Sequence, residues 1–90
     1  MTLKEFIKSH DNRGFVEEKV EAMRFHVELC ELVIKENTSY FDFKMHLDTV
    51  NENYYAVYGY IMAARTYNYI SSEESCSLLN ELRKASKPKM

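Results

Sequence analysis

The chain has 90 residues and a mass of 10.7 kDa, which allows a single domain and leaves no room for a second core. Hydrophobic residues make up 46% and charged residues 29%, and this balance excludes an intrinsically disordered chain. Fourteen acidic and 12 basic side chains give a formal charge of −2, which argues against non-specific binding to nucleic acid or to an anionic membrane.

Turn-forming residues are scarce, with two Gly and one Pro in the whole chain. A β-sandwich or barrel needs many turns, which are built mainly from Gly, Pro, Asn and Asp, so the composition disfavours an all-β fold. The N-terminus lacks the pattern of a secretory signal, and the longest apolar run, residues 54–64, is too short to span a membrane. We expect a cytoplasmic protein in which Cys30 and Cys76 are free thiols.

Two helices are predicted in the first 36 residues. The first is short and begins with a capping-box pattern, Thr2 and Glu5, and Gly14 is the natural site for a left-handed residue after it. The second has a seam of apolar residues at alternating spacings of four and three: Val16, Val20, Met23, Val27, Cys30 and Ile34. A second apolar set adjoins this seam: Ala22, Phe25, Leu29, Leu32 and Val33. We therefore predict that this helix is central and packs against two neighbours.

A polar stretch, residues 37–39, separates the second helix from the third, and Ser39 is placed to cap the new helix. Residues 41–47 alternate apolar and polar, as in a half-buried strand, which leaves an α+β fold with a hairpin at 40–62 as the alternative. Helical spacing nevertheless continues over residues 43–64, so we predict a helix. The segment Asn-Glu-Asn at 51–53 is a poor helix former, so a kink or short break is expected there.

The last predicted helix opens with a further capping-box pattern, Ser71 and Glu74. Its inward-facing residues are predicted to be Cys76, Leu78, Leu79 and Leu82. Residues 85–90 are interpreted as a flexible basic tail. The predicted fold is all-α: a single domain, residues 1–90, forming a small antiparallel bundle of three principal helices plus a short N-terminal helix.

Tyrosines are concentrated in the second half of the chain, where six of the seven lie between Asn53 and Ser72 with Arg65 as the single charged residue. A bundle this small cannot surround one helix completely, so part of this aromatic surface stays exposed. Tyrosine suits a surface that is solvent-exposed in the free protein and buried in a complex. The alternative is that these rings pack at the edge of the core. The predicted partner-binding residues are Tyr55, Tyr58, Tyr60, Met62, Arg65, Tyr67 and Tyr69.

Two histidines and two cysteines form a second candidate set, because a tetrahedral zinc ion takes such ligands. They are His26, Cys30, His46 and Cys76. The closely spaced ligand pairs of zinc motifs are missing, and Cys30 occupies an ordinary apolar position. We therefore expect no cofactor, and interpret His26 as a hydrogen-bonded histidine of the core.

Motifs of phosphate-binding loops, serine hydrolases and di-iron sites are absent from the sequence, so no enzymatic activity is predicted. We predict a non-catalytic protein-binding module, a small regulator or inhibitor that occludes a partner protein and also forms a homodimer. Its size and style are those of accessory proteins of phages and mobile elements, an analogy that no motif supports. The alternatives are a metal-stabilised structural domain and a small nucleic-acid-associated factor; direct binding to nucleic acid is disfavoured by the acidic start of the last helix.

Overall fold

Four helices form the bundle in the computed structural model, which describes residues 1–37 and 39–89. They are α1 (Leu3–His10), α2 (Phe15–Glu36), α3 (Tyr40–Thr66) and α4 (Ser72–Ala85). The longest two, α2 and α3, make most of the contacts between helices, while α4 packs on α3 and α1 on α4. The all-α prediction, with three principal helices and a short N-terminal one, is confirmed.

Helix α3 is continuous, so the alternative of a hairpin at 40–62 is wrong and the break expected at 51–53 does not occur. Helical spacing prevails because it buries Val50, Val57 and Ile61 completely on one face. The polar side chains also bond to the preceding turn: the Asn53 amide donates to the carbonyl of Thr49 at 2.8 Å. Thr38, in the predicted polar stretch before α3, lies outside the described residues.

Three of the four helices begin with the caps that the sequence predicts. The Thr2–Glu5 and Ser71–Glu74 capping boxes are both formed, and the Ser39 hydroxyl accepts the backbone N–H of Phe41. In each box the serine or threonine hydroxyl accepts a backbone N–H of the first turn, while the glutamate accepts the N–H of the cap residue. These local bonds fix where the helices start.

Acidification is expected to weaken both capping boxes. Hydrogen bonds from Thr2 lower the pKa of Glu5, and hydrogen bonds from Ser71 lower the pKa of Glu74, in each case from the backbone N–H first and the hydroxyl second. A lowered pKa in the folded state contributes stability that is present above the ordinary value of 4.5 and is lost as the pH falls through the lowered one. We expect the double variant Glu5→Gln/Glu74→Gln to lose less stability than the wild type between pH 6 and pH 3 in urea unfolding. Parallel pH profiles would contradict this expectation.

The core lies where α1 and α4 cover one side of the α2–α3 pair. Its fully buried large side chains include Phe6 from α1, Met23 from α2, Ile61 from α3 and Leu78 from α4. The Glu81 carboxylate also accepts the backbone N–H of Leu3 at 2.9 Å and so ties the start of α1 to α4. Between Cys30 and Val50 none of the described residues is buried. The far end of the α2–α3 hairpin therefore projects beyond the core, and the molecule is elongated, 45 × 24 × 18 Å.

Two residues expected to face inward do not. Cys76 is exposed on α4, because Ser75, Leu78 and Leu82 take the buried positions of that helix. Ile34 continues the seam of α2 but is 40% exposed. The last buried residue of that helix is Cys30.

The C-terminal segment follows α4, which ends at Ala85. The backbone N–H of Lys89 donates to the carboxylate of Glu31 on α2 at 2.7 Å. Flexibility of residues 85–90 stays a prediction, and Met90 lies outside the described residues. Among the residues that the structure describes, no helix combines the length and the apolar character needed to cross a membrane.

Candidate interaction surfaces

The tyrosine surface, defined here as Tyr55, Tyr58 and Met62, is a stripe along the outside of α3. The spacing of three and four residues places these side chains on one side of the helix, away from the buried Val57 and Ile61. Tyr55 is 66% exposed and Tyr58 is 38% exposed, whereas Met62 is half-buried. The structure thus brings together three of the predicted partner-binding residues.

A cluster of three rings supports this surface from within. The ring centroids of Tyr54 and Tyr55 are 5.1 Å apart, those of Tyr54 and Tyr58 are 6.2 Å apart, and those of Tyr55 and Tyr58 are 6.4 Å apart. Tyr54 is half-buried and packs against the core, so it anchors the two exposed rings. Rings that already pack against one another in the free protein lose less conformational freedom when a partner covers them.

Tyr60 has a structural role and does not join the tyrosine surface. Its hydroxyl donates to the carbonyl of His10 at 2.7 Å and accepts the backbone N–H of Asn12 at 3.1 Å. Its ring stacks on Phe15 with a centroid distance of 5.7 Å and meets Phe6 edge-on at 6.0 Å. Tyr60 therefore fastens the α1–α2 turn to α3. The one signal in the sequence was its position on a different stripe of the helix from Tyr55 and Tyr58.

The remaining predicted partner-binding residues lie at the end of α3 and beyond it. Arg65 is exposed in the last turn, and Tyr67 and Tyr69 follow the helix with exposures of 73% and 69%. The chain leaves the helix there because Asn68 adopts a left-handed conformation with φ 64°. The ring of Tyr69 lies 6.5 Å from that of His10, so the two tyrosines border a shallow groove beside the α1–α2 turn.

Of the four candidate metal ligands, the structure pairs only the histidines. The Nδ1 atoms of His26 on α2 and His46 on α3 are 3.0 Å apart, a hydrogen bond in which one ring donates and the other accepts. Cys30 is buried one turn further along α2, and its Sγ lies 3.9 Å from the carbonyl of Phe43. Desolvation by burial, followed by the nearby charge of Glu31, raises the pKa of the Cys30 thiol.

Cys76, the fourth candidate ligand, is exposed on α4, apart from the other three. Within residues 1–37 and 39–89 no group of three or more His, Cys, Asp or Glu side chains is arranged to hold a metal ion. The predicted ligands are therefore not assembled into a tetrahedral site. Instead, the His26–His46 and Cys30–Phe43 contacts join α2 to α3 and show that the two helices run antiparallel.

The second apolar set of α2 is only partly buried, although two neighbours were predicted for this helix. Phe25 is 57% exposed and Leu32 is 46% exposed, with Leu29 half-buried between them. The reason is that α1 and α4 both lie on the core side of the hairpin. The sequence showed that this set is apolar, but it did not show that Phe25 and Leu32 lie outside the core formed by the described residues.

These features define a class: a small all-α bundle whose exposed large apolar side chains lie on α2, on α3 and in the segment after α3, with no assembled metal centre among the described residues. Comparisons of the chain with protein-family models, with curated proteins and with solved structures find no match.

Proposed function

We propose that this chain is a non-catalytic protein-binding module, a small cytoplasmic regulator or inhibitor that occludes a site on a partner protein with its tyrosine surface. The observation that carries the proposal is the ring cluster of Tyr54, Tyr55 and Tyr58, anchored at the core and exposed at its outer edge. Self-association through the same surface, as a homodimer, is part of the proposal.

The chemistry of the surface supports binding to protein. A tyrosine ring gains burial in a complex while its hydroxyl still finds a hydrogen-bond partner, and tyrosine and arginine are enriched among the residues that dominate binding energies. Between Asn53 and Ser72 the only charged side chain is Arg65, so a partner need not desolvate charges to cover this part of α3. The scarcity of basic side chains there also disfavours nucleic acid as the partner.

The test compares the double variant Tyr55→Ser/Tyr58→Ser with the control variant Tyr40→Ser. Tyr40 is 77% exposed at the other end of α3 and lies outside the tyrosine surface. We expect the double variant to keep the helicity of the wild type by circular dichroism, because both rings are on the outside of the helix. Light scattering over a range of concentrations then measures self-association, which we expect the double variant to weaken at least tenfold and the control to leave unchanged.

Binding to another protein is tested in cells with a photo-crosslinking residue at position 58 and, as the control, at position 40. We expect a discrete cross-linked species from position 58 alone, which the Tyr55→Ser change suppresses. Equal cross-linking from both positions, or a monomer without cross-links at position 58, would overturn the proposal. Loss of helicity in the double variant would instead assign the two tyrosines to the core.

A further inference from the structure

Two histidine rings face each other across the boundary between α2 and α3. The Nδ1 atoms of His26 and His46 are 3.0 Å apart, whereas the ring centroids are 5.2 Å apart, so the two nitrogens lie between the rings and point at each other. Both rings are half-buried. We call these two residues the histidine pair. Because two imidazole nitrogens at this distance share a single hydrogen, the protonation state of the pair decides whether the contact attracts or repels.

The histidine pair lies where the core of the bundle ends. Beyond it, α2 and α3 continue as a segment that we call the distal half, residues 28–36 and 40–48. Cys30 is the one buried residue that the structure describes there, and its Sγ makes a weak contact of 3.9 Å with the carbonyl of Phe43. Little burial therefore holds the distal half together, and the loss of one hydrogen bond has a larger effect there than in the core.

The contact differs among the protonation states of the pair. When both rings are neutral, one N–H donates to the bare nitrogen of the other ring. When one ring is an imidazolium, it donates to the neutral ring, and the charge strengthens the bond. When both rings are imidazolium, each Nδ1 carries a hydrogen, so no acceptor is left and two positive charges repel each other. The closed pair thus accommodates one added proton, whereas two separated rings take up two.

This difference makes the separation of the two rings depend on pH. A free imidazole takes up its proton at about pH 6.5. Above that pH the closed and separated states bind few added protons, and the hydrogen bond favours the closed state. Below it the separated state binds one proton more, so the ratio of closed to separated molecules falls by up to about tenfold for each pH unit. The pair therefore stabilises the hairpin at neutral pH and loses this effect on acidification.

The other charged groups around the pair do not produce this response. The titratable side chains one turn away and on the same side are Cys30 on α2 and Asp42 on α3. Burial raises the pKa of the Cys30 thiol, so the thiol stays uncharged on acidification. The Asp42 carboxylate attracts an imidazolium and so opposes separation. The C-terminal segment reaches α2 through the bond from Lys89 to Glu31, which lies about 140° around the helix from the histidine.

We propose that the histidine pair is a pH-sensitive contact, which holds the distal half of α2 and α3 together at neutral pH and releases it at mildly acidic pH while the core stays folded. This device goes beyond the function proposed for the tyrosine surface, which lies on α3 beside the buried Val57 and Ile61. The exposed Leu32 and Phe41 belong to the distal half, so its release changes their position relative to each other.

Amide hydrogen exchange tests the proposal, measured by NMR on the full chain at pH 7.5 and pH 5.0 and corrected for the intrinsic exchange rates. We expect the protection of amides 28–36 and 44–48 to fall about tenfold between the two pH values. Amides 16–23 and 57–64 in the core are expected to keep their protection within about twofold. The capping boxes do not interfere, because the pKa values of Glu5 and Glu74 are lowered from 4.5 and both carboxylates stay ionised at pH 5.0.

Three variants assign the response to the pair. His26→Phe/His46→Phe keeps two packed rings without a titrating group, and we expect equal protection of the distal half at both pH values. His46→Gln is the second probe where the double variant does not fold: its amide bonds to either form of His26, so the fall is again expected to disappear. His10→Gln is the matched control, because that ring contacts Phe6 and Tyr69 at the other end of the bundle, and it is expected to keep the tenfold fall.

Unchanged protection of the wild-type distal half between the two pH values would overturn the proposal. A fall that persists in both variants of the pair would assign the response to other groups, and one that vanishes in His10→Gln would assign it to His10. A fall of equal size in amides 57–64 would mean that the whole bundle unfolds, which also ends the proposal. None of these results bears on the tyrosine surface, whose test measures dimerisation and cross-linking.

Discussion

Replacing Phe6 with alanine is expected to destabilise the protein by about 3–5 kcal/mol, the usual cost of removing a fully buried ring. Phe6 is 0% exposed and touches the rings of His10 and Tyr60, at centroid distances of 5.4 and 6.0 Å. The only other fully buried side chain of α1 is Leu3, so the change removes one of the two side chains that pack this helix into the core. A chain of this length has a total stability of about 5–13 kcal/mol, and the loss is therefore a large share of it.

Urea unfolding followed by circular dichroism measures this effect, with Phe25→Ala as the matched control. Phe25 is the same residue type but is 57% exposed on α2, so its removal leaves no internal cavity. We expect the control to change the free energy of unfolding by less than about 1 kcal/mol. Equal losses in the two variants would show that Phe25 is covered in solution or that α1 does not pack as described.

Replacing Asp11 with alanine is expected to cost about 2 kcal/mol, the upper range for a helix cap. Gly14, the N-cap residue of α2, has φ 75° and no side chain with which to cap the helix. Asp11 takes over that function from three residues earlier: its Oδ1 accepts the N–H of Val16 at 2.8 Å and its Oδ2 accepts the N–H of Glu17 at 3.0 Å. A carboxylate at the positive end of the helix dipole strengthens both bonds.

The Asp11→Asn variant separates the two contributions. Its amide keeps one acceptor oxygen and loses both the charge and the second acceptor, so we expect a loss intermediate between those of the wild type and Asp11→Ala. Asp48→Ala serves as the control for removing a surface carboxylate, because its ion pair with Lys44 is exposed and is worth at most about 0.5 kcal/mol. A loss in Asp11→Ala no larger than in Asp48→Ala would rule out the capping role.

The exposed side chains of α3 and those of α2 were visible in the sequence to different degrees. The tyrosine concentration pointed to α3, and the spacing of Tyr55, Tyr58 and Met62 correctly placed these three on one stripe. The spacing of the apolar set of α2 predicts a packing face, because an apolar stripe has the same spacing whether a neighbour covers it or not. Only the arrangement of the other helices shows that Phe25 and Leu32 remain exposed.

Features that depend on residues a few positions apart can be predicted from the sequence. The capping boxes at Thr2 and Ser71 and the helical repeat through α3 act within one or two turns of the chain, so their spacing is sufficient to predict them. Contacts between distant residues become visible only once the helices are packed together. The bond from Tyr60 to His10 and the pairing of His26 with His46 join positions 50 and 20 residues apart. Such contacts depend on how the helices pack, and no local spacing encodes that.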